Sequence, residues 1–178
     1  LVVPNDEKLS LLEQLIAAFP EFACCPKPSG DHNEQKARKQ TRTRAFVKIQ
    51  DGCYMNCSYC SIPLTRPVLS SRHHQEVIDE VRRLVDGGHR EVVLSGVLIG
   101  SYGRETGSGG PSLECLVEAL NDIPRLERIR ISSIEMKHVS LRLMKLMAYR
   151  LLVPHLHLPM QNGDDKVLRD MNRPYTAE

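Results

Sequence analysis

Hydrophobic positions along the chain change period repeatedly, and the changes mark its elements. Ala45-Phe46-Val47-Lys48-Ile49-Gln50 predicts a strand. Val77, Ile78, Val81, Leu84 and Val85 then fall on one side of a helix from Gln75 to Asp86, which Gly87-Gly88 ends. Glu91-Val92-Val93-Leu94-Ser95 predicts a second strand, and Ser112 to Leu120 a second helix. Arg128-Ile129-Arg130-Ile131-Ser132 and Ser140 to Tyr149 repeat the unit, and His155 to Met160 with Asp164 to Met171 repeat it again. Leu143, Met144 and Met147 recur at helical spacing and are expected in the core. Strand and helix in regular alternation predict an α/β fold: a parallel sheet with helices outside it. Right-handed crossovers between parallel strands favour a barrel or part-barrel.

Upstream the pattern differs. Leu9, Leu11, Leu12, Leu15, Ile16 and Phe19 predict one short amphipathic helix, stopped by Pro20. From Pro26 to Thr43 the chain turns polar and reads as a linker or long loop. The expected organisation is therefore a helix and linker over 1–40, the tail of a preceding domain, and a main domain over 41–178. The start, Leu1-Val2-Val3-Pro4 without a methionine, reads as internal to a longer protein.

Composition narrows the class. Hydrophobic residues make up 41% and charged residues 26% of 178, which suits a globular domain rather than a disordered one. No apolar run approaches the roughly 20 residues of a membrane-spanning helix, so no membrane partner is expected. The net charge of +2 carries little information, but Lys36, Arg38, Lys39, Arg42 and Arg44 form an acid-free basic run. Such a run reads as a solvated linker or as a footprint for a phosphate backbone. Six cysteines, three clustered and three irregular (Cys24, Cys25, Cys115), fit a reduced protein with a metal site better than a disulfide framework. The cytoplasm is the expected compartment.

The clustered three carry the chemistry. Cys53, Cys57 and Cys60 follow the first strand in a Cys-x3-Cys-x2-Cys spacing, one thiolate short of a closed zinc site or a fully protein-ligated cubane iron-sulfur cluster. Three ligands in one loop leave a four-iron cluster with one iron open to bind another molecule. In parallel sheets such chemistry gathers where strands end. Ser95-Gly96, Ser132-Ser133 with Glu135, and Gln161-Asn162-Gly163 are expected on that same rim.

The cysteine spacing, with Tyr59 just before the last cysteine, resembles the signature of the radical S-adenosylmethionine superfamily. The flanking text resembles its methylthiotransferases: Arg44 to Cys53, Ser61-Ile62-Pro63 and Ser71-Arg72. Val93 to Gly103 and Arg128 to Glu135 are most similar to the branch that methylthiolates N6-threonylcarbamoyladenosine in tRNA. His157 to Gly163 and Met171-Asn172-Arg173-Pro174-Tyr175 are in the same style. This resemblance implies a partial barrel of the radical SAM type and a [4Fe-4S] cluster held by Cys53, Cys57 and Cys60. It implies S-adenosyl-L-methionine at the open iron, with Tyr59 beside the adenine, Ser95-Gly96 at the methionyl amine, Ser133 and Glu135 at the ribose or amino-acid part, and Gln161 on the same rim. The implied reaction puts a methylthio group on C2 of the modified adenosine in the tRNA anticodon loop. The implied partners are tRNA and an electron donor such as flavodoxin or ferredoxin. A second [4Fe-4S] cluster is expected only in the full-length protein, in a domain mostly outside this chain, and the chain alone is expected to be catalytically incomplete. Cys24 and Cys25 do not match that cluster's ligands. Arg66-Pro67 stands where the family shows Arg-Gly, so Arg66 receives no ligand role.

Other readings compete. A methylthiotransferase for isopentenyladenosine or for a ribosomal protein would share the cysteine motif. A structural zinc site completed by His73, His74 or Cys115 would make the chain a binding module. Ser132-Ser133 and Glu135 would also suit a plain strand end. The glycines at Gly96, Gly100, Gly103 and Gly107 to Gly110 lack the lysine and hydroxyl context of a phosphate loop. His155 and His157, alternating on a strand, would face one side as rim or buried histidines.

Overall fold

A computed structural model describes residues 10–19, 43–104, 110–149 and 151–177. Cys24, Cys25, the linker, the basic run up to Arg42 and Gly107 to Gly109 lie outside the described residues. The chain divides into two units, Leu1–Gln40 and Thr41–Glu178, each described by itself. In the first, Leu11–Ala18 forms helix α1, inside the span that the leucine spacing predicts.

The second unit is an α/β half-barrel built on one sheet with strand order β2-β1-β3-β4. Strands β1 (Arg44–Asp51), β3 (Glu91–Gly96) and β4 (Arg128–Ile131) run parallel. Strand β2 (Ser70–Ser71) pairs antiparallel with the end of β1, through Gln50↔Ser71 and Asp51↔Ser70. The helices are α2 (Ile62–Thr65), α3 (His74–Asp86), α4 (Leu113–Leu120), α5 (Leu141–Tyr149) and α6 (Asp165–Asp170). Among the described residues no helix is long and apolar enough to cross a membrane.

Alternation decides which sheet face holds the core. Ala45, Val47 and Ile49 of β1 are buried, while Arg44, Phe46 and Lys48 between them are exposed. Val92 and Leu94 of β3 and Ile129 and Ile131 of β4 join the buried side, packed with Val77, Val81 and Val85 of α3, Leu116, Val117 and Leu120 of α4, and Leu143 of α5. Each such aliphatic side chain contributes about 1.5–3 kcal/mol on burial. Capping trims the predicted helices by a residue. Ser112 accepts from the Cys115 amide, and Asp164 from the amides of Lys166 and Val167, so each stands just before its helix. On α5 Leu143 is buried, but Met144 faces outward and leaves the predicted core.

At the amino edge the opposite face carries a charge knot. Glu91, buried, receives Arg44 at 3.0 Å, Arg128 at 3.0 Å and Arg130 at 2.5 Å. Register places Arg44, Glu91 and Arg128 side by side on three strands. Burial alone would raise the Glu91 pKa, but bonds from Arg130 and Arg128 outweigh it, so the carboxylate is favoured.

The fourth strand expected from His155 to Met160 is absent. Among the described residues, pairing beyond β4 is a single parallel bridge, Ile129↔Leu152. Pro154 offers no donor to a ladder, and the His155 amide turns back onto the Val153 carbonyl at 2.7 Å, a tight turn that ends the extended run. One bond, Ile134 N–H to the His157 carbonyl at 3.1 Å, keeps the segment beside the sheet. His155 and His157 therefore do not share a strand face, and both are exposed.

His138 supplies a pH test of this packing. It is buried against Gly100, where a Cβ would come 2.3 Å from the His138 Cβ, and its Nδ1 has no hydrogen-bond partner among the described residues. Burial, aided by Lys137 and Arg104, pushes its pKa down from 6.5 to about 4. A folded value below the unfolded one gives stability that is present above pH 6.5 and is lost as pH falls toward 4, up to roughly 3 kcal/mol. Thermal unfolding followed by circular dichroism should therefore show the melting temperature falling more steeply from pH 6.5 to 4 in the wild type than in His138→Asn.

Candidate functional site

The site begins where β1 ends. Asp51 accepts from Lys48 Nζ at 2.6 Å, from the Gly52 amide at 2.9 Å and from Arg66 Nη1 at 3.0 Å. Burial would raise its pKa, but these donors hold the carboxyl well below the usual carboxylate range. Gly52 then turns with φ +79, so close to the opposing loop that a Cβ would lie 1.9 Å from the Val68 carbonyl oxygen. The Cys53 amide donates to the Arg66 carbonyl at 3.0 Å. Arg66, for which the sequence supports no ligand role, braces the cysteine loop through its backbone and its bond to Asp51.

Gln50, almost fully buried, joins this loop to the next. Its Nε2 donates to the Asp51 and Gly52 carbonyls at 2.6 and 2.9 Å, and its Oε1 accepts the Leu98 amide at 2.6 Å. The pairing of β1 with β3 slips between Lys48 and Gln50, the kind of irregularity that re-aims a strand end beside a site. Gly96 is small because Gln50 is there: a Cβ at Gly96 would lie 3.0 Å from both Gln50 Cβ and Oε1. Ser95 donates to the Val47 carbonyl at 3.4 Å.

Cys53 and Cys57 are buried and Cys60 is half-buried, and all three are free thiols. They pack with Met55, Leu98, Leu69 and Val97 in a small apolar cluster separate from the helix-sheet core. Cys53 Sγ accepts the Met55 amide at 3.4 Å. Burial pushes the Cys53 thiol pKa up, and the neighbouring Cys57, Cys60 and Glu135 add to that push. A bare thiolate is thus disfavoured at Cys53 and needs a cationic partner. Tyr59, half-exposed, belongs to the same surroundings: burial raises its hydroxyl pKa, Arg173 opposes this, and Cys57 and Glu135 reinforce it.

The chain after α6 closes the pocket. Arg173, its side chain 2% exposed, donates from Nη1 to Cys57 Sγ at 3.1 Å and from Nη2 to Glu135. Ser58 donates through its amide to the Met171 carbonyl at 3.2 Å and through Oγ to the Asp170 carbonyl at 3.0 Å, and Asn172 Nδ2 reaches the Asn56 carbonyl at 2.5 Å.

Of the residues expected on the rim, the structure brings Cys53, Cys57, Cys60, Tyr59 and Glu135 together. Ser95 and Gly96 are the last two residues of β3, joined to the cysteine loop through Gln50 and Leu98. Ser133 is exposed and bonds His157 Nδ1 at 2.6 Å, and Gln161 is exposed with φ +64. No hydrogen bond among the described residues ties either to the cysteine pocket. Of the zinc-completing candidates, His73 precedes α3 and is exposed, His74 is the first residue of α3, and Cys115 on α4 is held by Ser112 and Arg142; among the described residues no hydrogen bond ties any of them to the three cysteines. Two residues of the pocket were not foreseen as site residues. Gln50 carries no signal, since a polar residue at a strand end is ordinary; Arg173 stood in a family-like stretch without a role.

The model of the radical SAM superfamily matches residues 47–178, well over half of the chain. The chain belongs to the radical SAM superfamily. Among curated relatives, a threonylcarbamoyladenosine tRNA methylthiotransferase MtaB of Chlamydia pneumoniae is 37% identical over 98% of this chain and 39% of its own length. The protein of the same name from Bacillus subtilis is 40% identical over 77% of this chain and 30% of its own. A tRNA-2-methylthio-N(6)-dimethylallyladenosine synthase of Akkermansia muciniphila is 34% identical over 94% of this chain and 38% of its own. The chain thus spans less than two-fifths of the length of these relatives.

Radical SAM membership implies a [4Fe-4S] cluster and S-adenosylmethionine, and the pocket fits a thiolate-held cluster. Its donors are three reduced thiols in apolar surroundings, and two of the sulfurs already accept hydrogen bonds. Among the described residues no three or more His, Cys, Asp or Glu side chains converge to hold a single ion. A cubane does not require that, since each thiolate binds a different iron.

Proposed function

We propose that the chain is the radical-generating core of a methylthiotransferase that modifies C2 of N6-threonylcarbamoyladenosine in the tRNA anticodon loop. The observation that carries the reading is the pocket of Cys53, Cys57 and Cys60 joined to Tyr59 and Glu135, in a chain 37–40% identical to proteins named for that substrate. Cys53, Cys57 and Cys60 would hold the cluster, which with S-adenosylmethionine supplies one-electron radical chemistry when bound. The protein's part is orientation and exclusion. Met55, Leu98, Leu69 and Val97 keep water from the sulfurs, and Gln50, packed against Gly96, sets the position of the Ser95-Gly96 strand end. Tyr59, half-exposed at the mouth, offers a ring face for the adenine. Ser95, Ser133, Glu135 and Gln161 are proposed cofactor contacts of the rim.

A base carrying this modification must leave its stack to be reached, which an anticodon loop permits. The tRNA substrate, a flavodoxin- or ferredoxin-like electron donor and a cytoplasmic location belong to the same proposal, as do the boundary near residue 41 and a second cluster in the full-length protein. Similarity to the dimethylallyladenosine synthase supports a second reading, with that adenosine as substrate.

Mass spectrometry of tRNA nucleosides from a strain lacking the gene separates these. Threonylcarbamoyladenosine without its methylthio partner is the expected result. Loss of the methylthio group from dimethylallyladenosine would move the assignment to the second reading, and unchanged tRNA would overturn both, directing attention to ribosomal-protein masses. Anaerobic reconstitution addresses the zinc-module alternative: a colourless protein that takes up zinc but neither iron nor sulfide would overturn the radical reading.

A further inference from the structure

We propose that Arg173 is a positioning residue that fixes Cys57 and Glu135 relative to each other and raises the reduction potential of the cluster held by the cysteines, an inference that rests on the reading just given. Its guanidinium reaches three acceptors on different segments: Cys57 Sγ at 3.1 Å in the cysteine loop, Glu135 after β4, and the Tyr175 hydroxyl at 3.0 Å. It also stacks over the Tyr175 ring, 4.9 Å from the centroid, and the Tyr175 hydroxyl donates to the Pro159 and Met160 carbonyls at 3.2 and 3.3 Å. The backbone is fixed as well. Asn172, with φ +56, turns the chain back at the end of α6, and the Arg173 amide bonds the Leu168 carbonyl at 2.9 Å. A long, flexible side chain is thus held in one place from Nε to both terminal nitrogens.

A mere structural ion pair would need only Glu135. The remaining terminal nitrogen, Nη1, is aimed at sulfur, and a protonated thiol is a weak acceptor. A thiolate bound to iron is a much better one, so this bond reaches full strength in the loaded protein. Hydrogen bonds to ligand sulfurs and buried positive charge both favour the reduced, more negative state of an iron-sulfur cluster. Arg173 supplies both at Cys57. The pairing with Glu135 supplies the second half of the role: a carboxylate near the sulfurs has its charge countered and its orientation set before any ligand arrives.

The test uses the full-length protein, reconstituted anaerobically with iron and sulfide, as wild type, Arg173→Met and Arg173→Lys. Iron and sulfide content, the electron paramagnetic resonance spectrum and the midpoint potential are read for the cluster whose signal changes when S-adenosylmethionine is added. Arg173→Met is expected to shift the reduction equilibrium at least about tenfold toward the oxidised cluster, about 59 mV for one electron, with an altered spectrum. Arg173→Lys keeps the charge but cannot serve sulfur and carboxylate in one plane, so its shift should be smaller and in the same direction. Wild-type potential and spectrum in a fully loaded Arg173→Met protein would overturn the inference. Should Arg173→Met fail to fold, Arg173→Lys is judged alone, and a wild-type potential there overturns it equally. A wild-type protein that takes up no iron and sulfide sinks the underlying reading instead, which keeps the two failures apart.

Discussion

Full-length protein carrying Cys57→Ala is expected to lose about four iron atoms per chain, one cubane's worth, and with them cleavage of S-adenosylmethionine. Cys57 is buried with Cys53 and takes the Arg173 hydrogen bond, so its sulfur is the best fixed of the three. Alanine removes that ligand and leaves the buried guanidinium facing a void. Changes outside the first ring of ligands cost metal sites about 10–100-fold; removal of a ligand in so small a set should exceed that ceiling. Iron and sulfide analysis with formation of 5′-deoxyadenosine as the activity readout checks it. A Cys57→Ala protein that retains wild-type iron and cleaves the cofactor would remove the cysteine loop from the reaction. Cys115→Ala is the control: that thiol sits on α4 with Ser112 and Arg142 and should leave iron content unchanged.

Gly52→Ala is the second large effect, and it acts through the backbone. At φ +79 an L side chain is already strained, by about 1–2 kcal/mol. The new Cβ would also stand 1.9 Å from the Val68 carbonyl oxygen and 2.6 Å from its carbon, and backbone cannot step aside as a side-chain tip can. The two terms together should cost about 3 kcal/mol, near the top of what single changes do, and lower the melting temperature by roughly 6–12 °C. Gly88→Ala separates the terms. It shares the positive φ, +101, but nothing lies within 4 Å of its would-be Cβ, so it should show the strain alone. Because Gly52 adjoins Cys53, Gly52→Ala should also lower cluster uptake. Equal melting temperatures for the two variants would mean that the loop holding Val68 yields freely.

How far the sequence reached depends on the range of the interaction. The strands of the half-barrel were legible because alternation is local: Ala45, Val47 and Ile49 face the core in the register that period two requires. The helices were legible from Val77 to Val85 and from Leu113 to Leu120, with errors of a residue where Ser112 and Asp164 act as caps. The reading failed at His155 to Met160, where a strand-like composition followed Pro154 and contained Pro159, and the His155 amide was taken up by a turn. It also placed Met144 in the core, although its neighbour Leu143 fills that position.

The clustering of the cysteine triad was readable from its spacing, and its strand-end location from the hydrophobic run Ala45 to Gln50 just before it. The surroundings of that triad were not. Arg173 meets Cys57 across 116 positions, and Glu135 across 38; Gln50 meets Leu98 across 48. Nothing in local periodicity couples such pairs. They exist because parallel strands deliver their ends to one edge and because α6 returns the chain to the cysteine loop. Most of the order of elements, and the grouping of three thiols at a strand end, therefore follow from the sequence by short-range rules. The burial of the sulfurs, the guanidinium aimed at one of them and the carboxylate paired beside it arise only when the folded chain brings distant segments within hydrogen-bond reach.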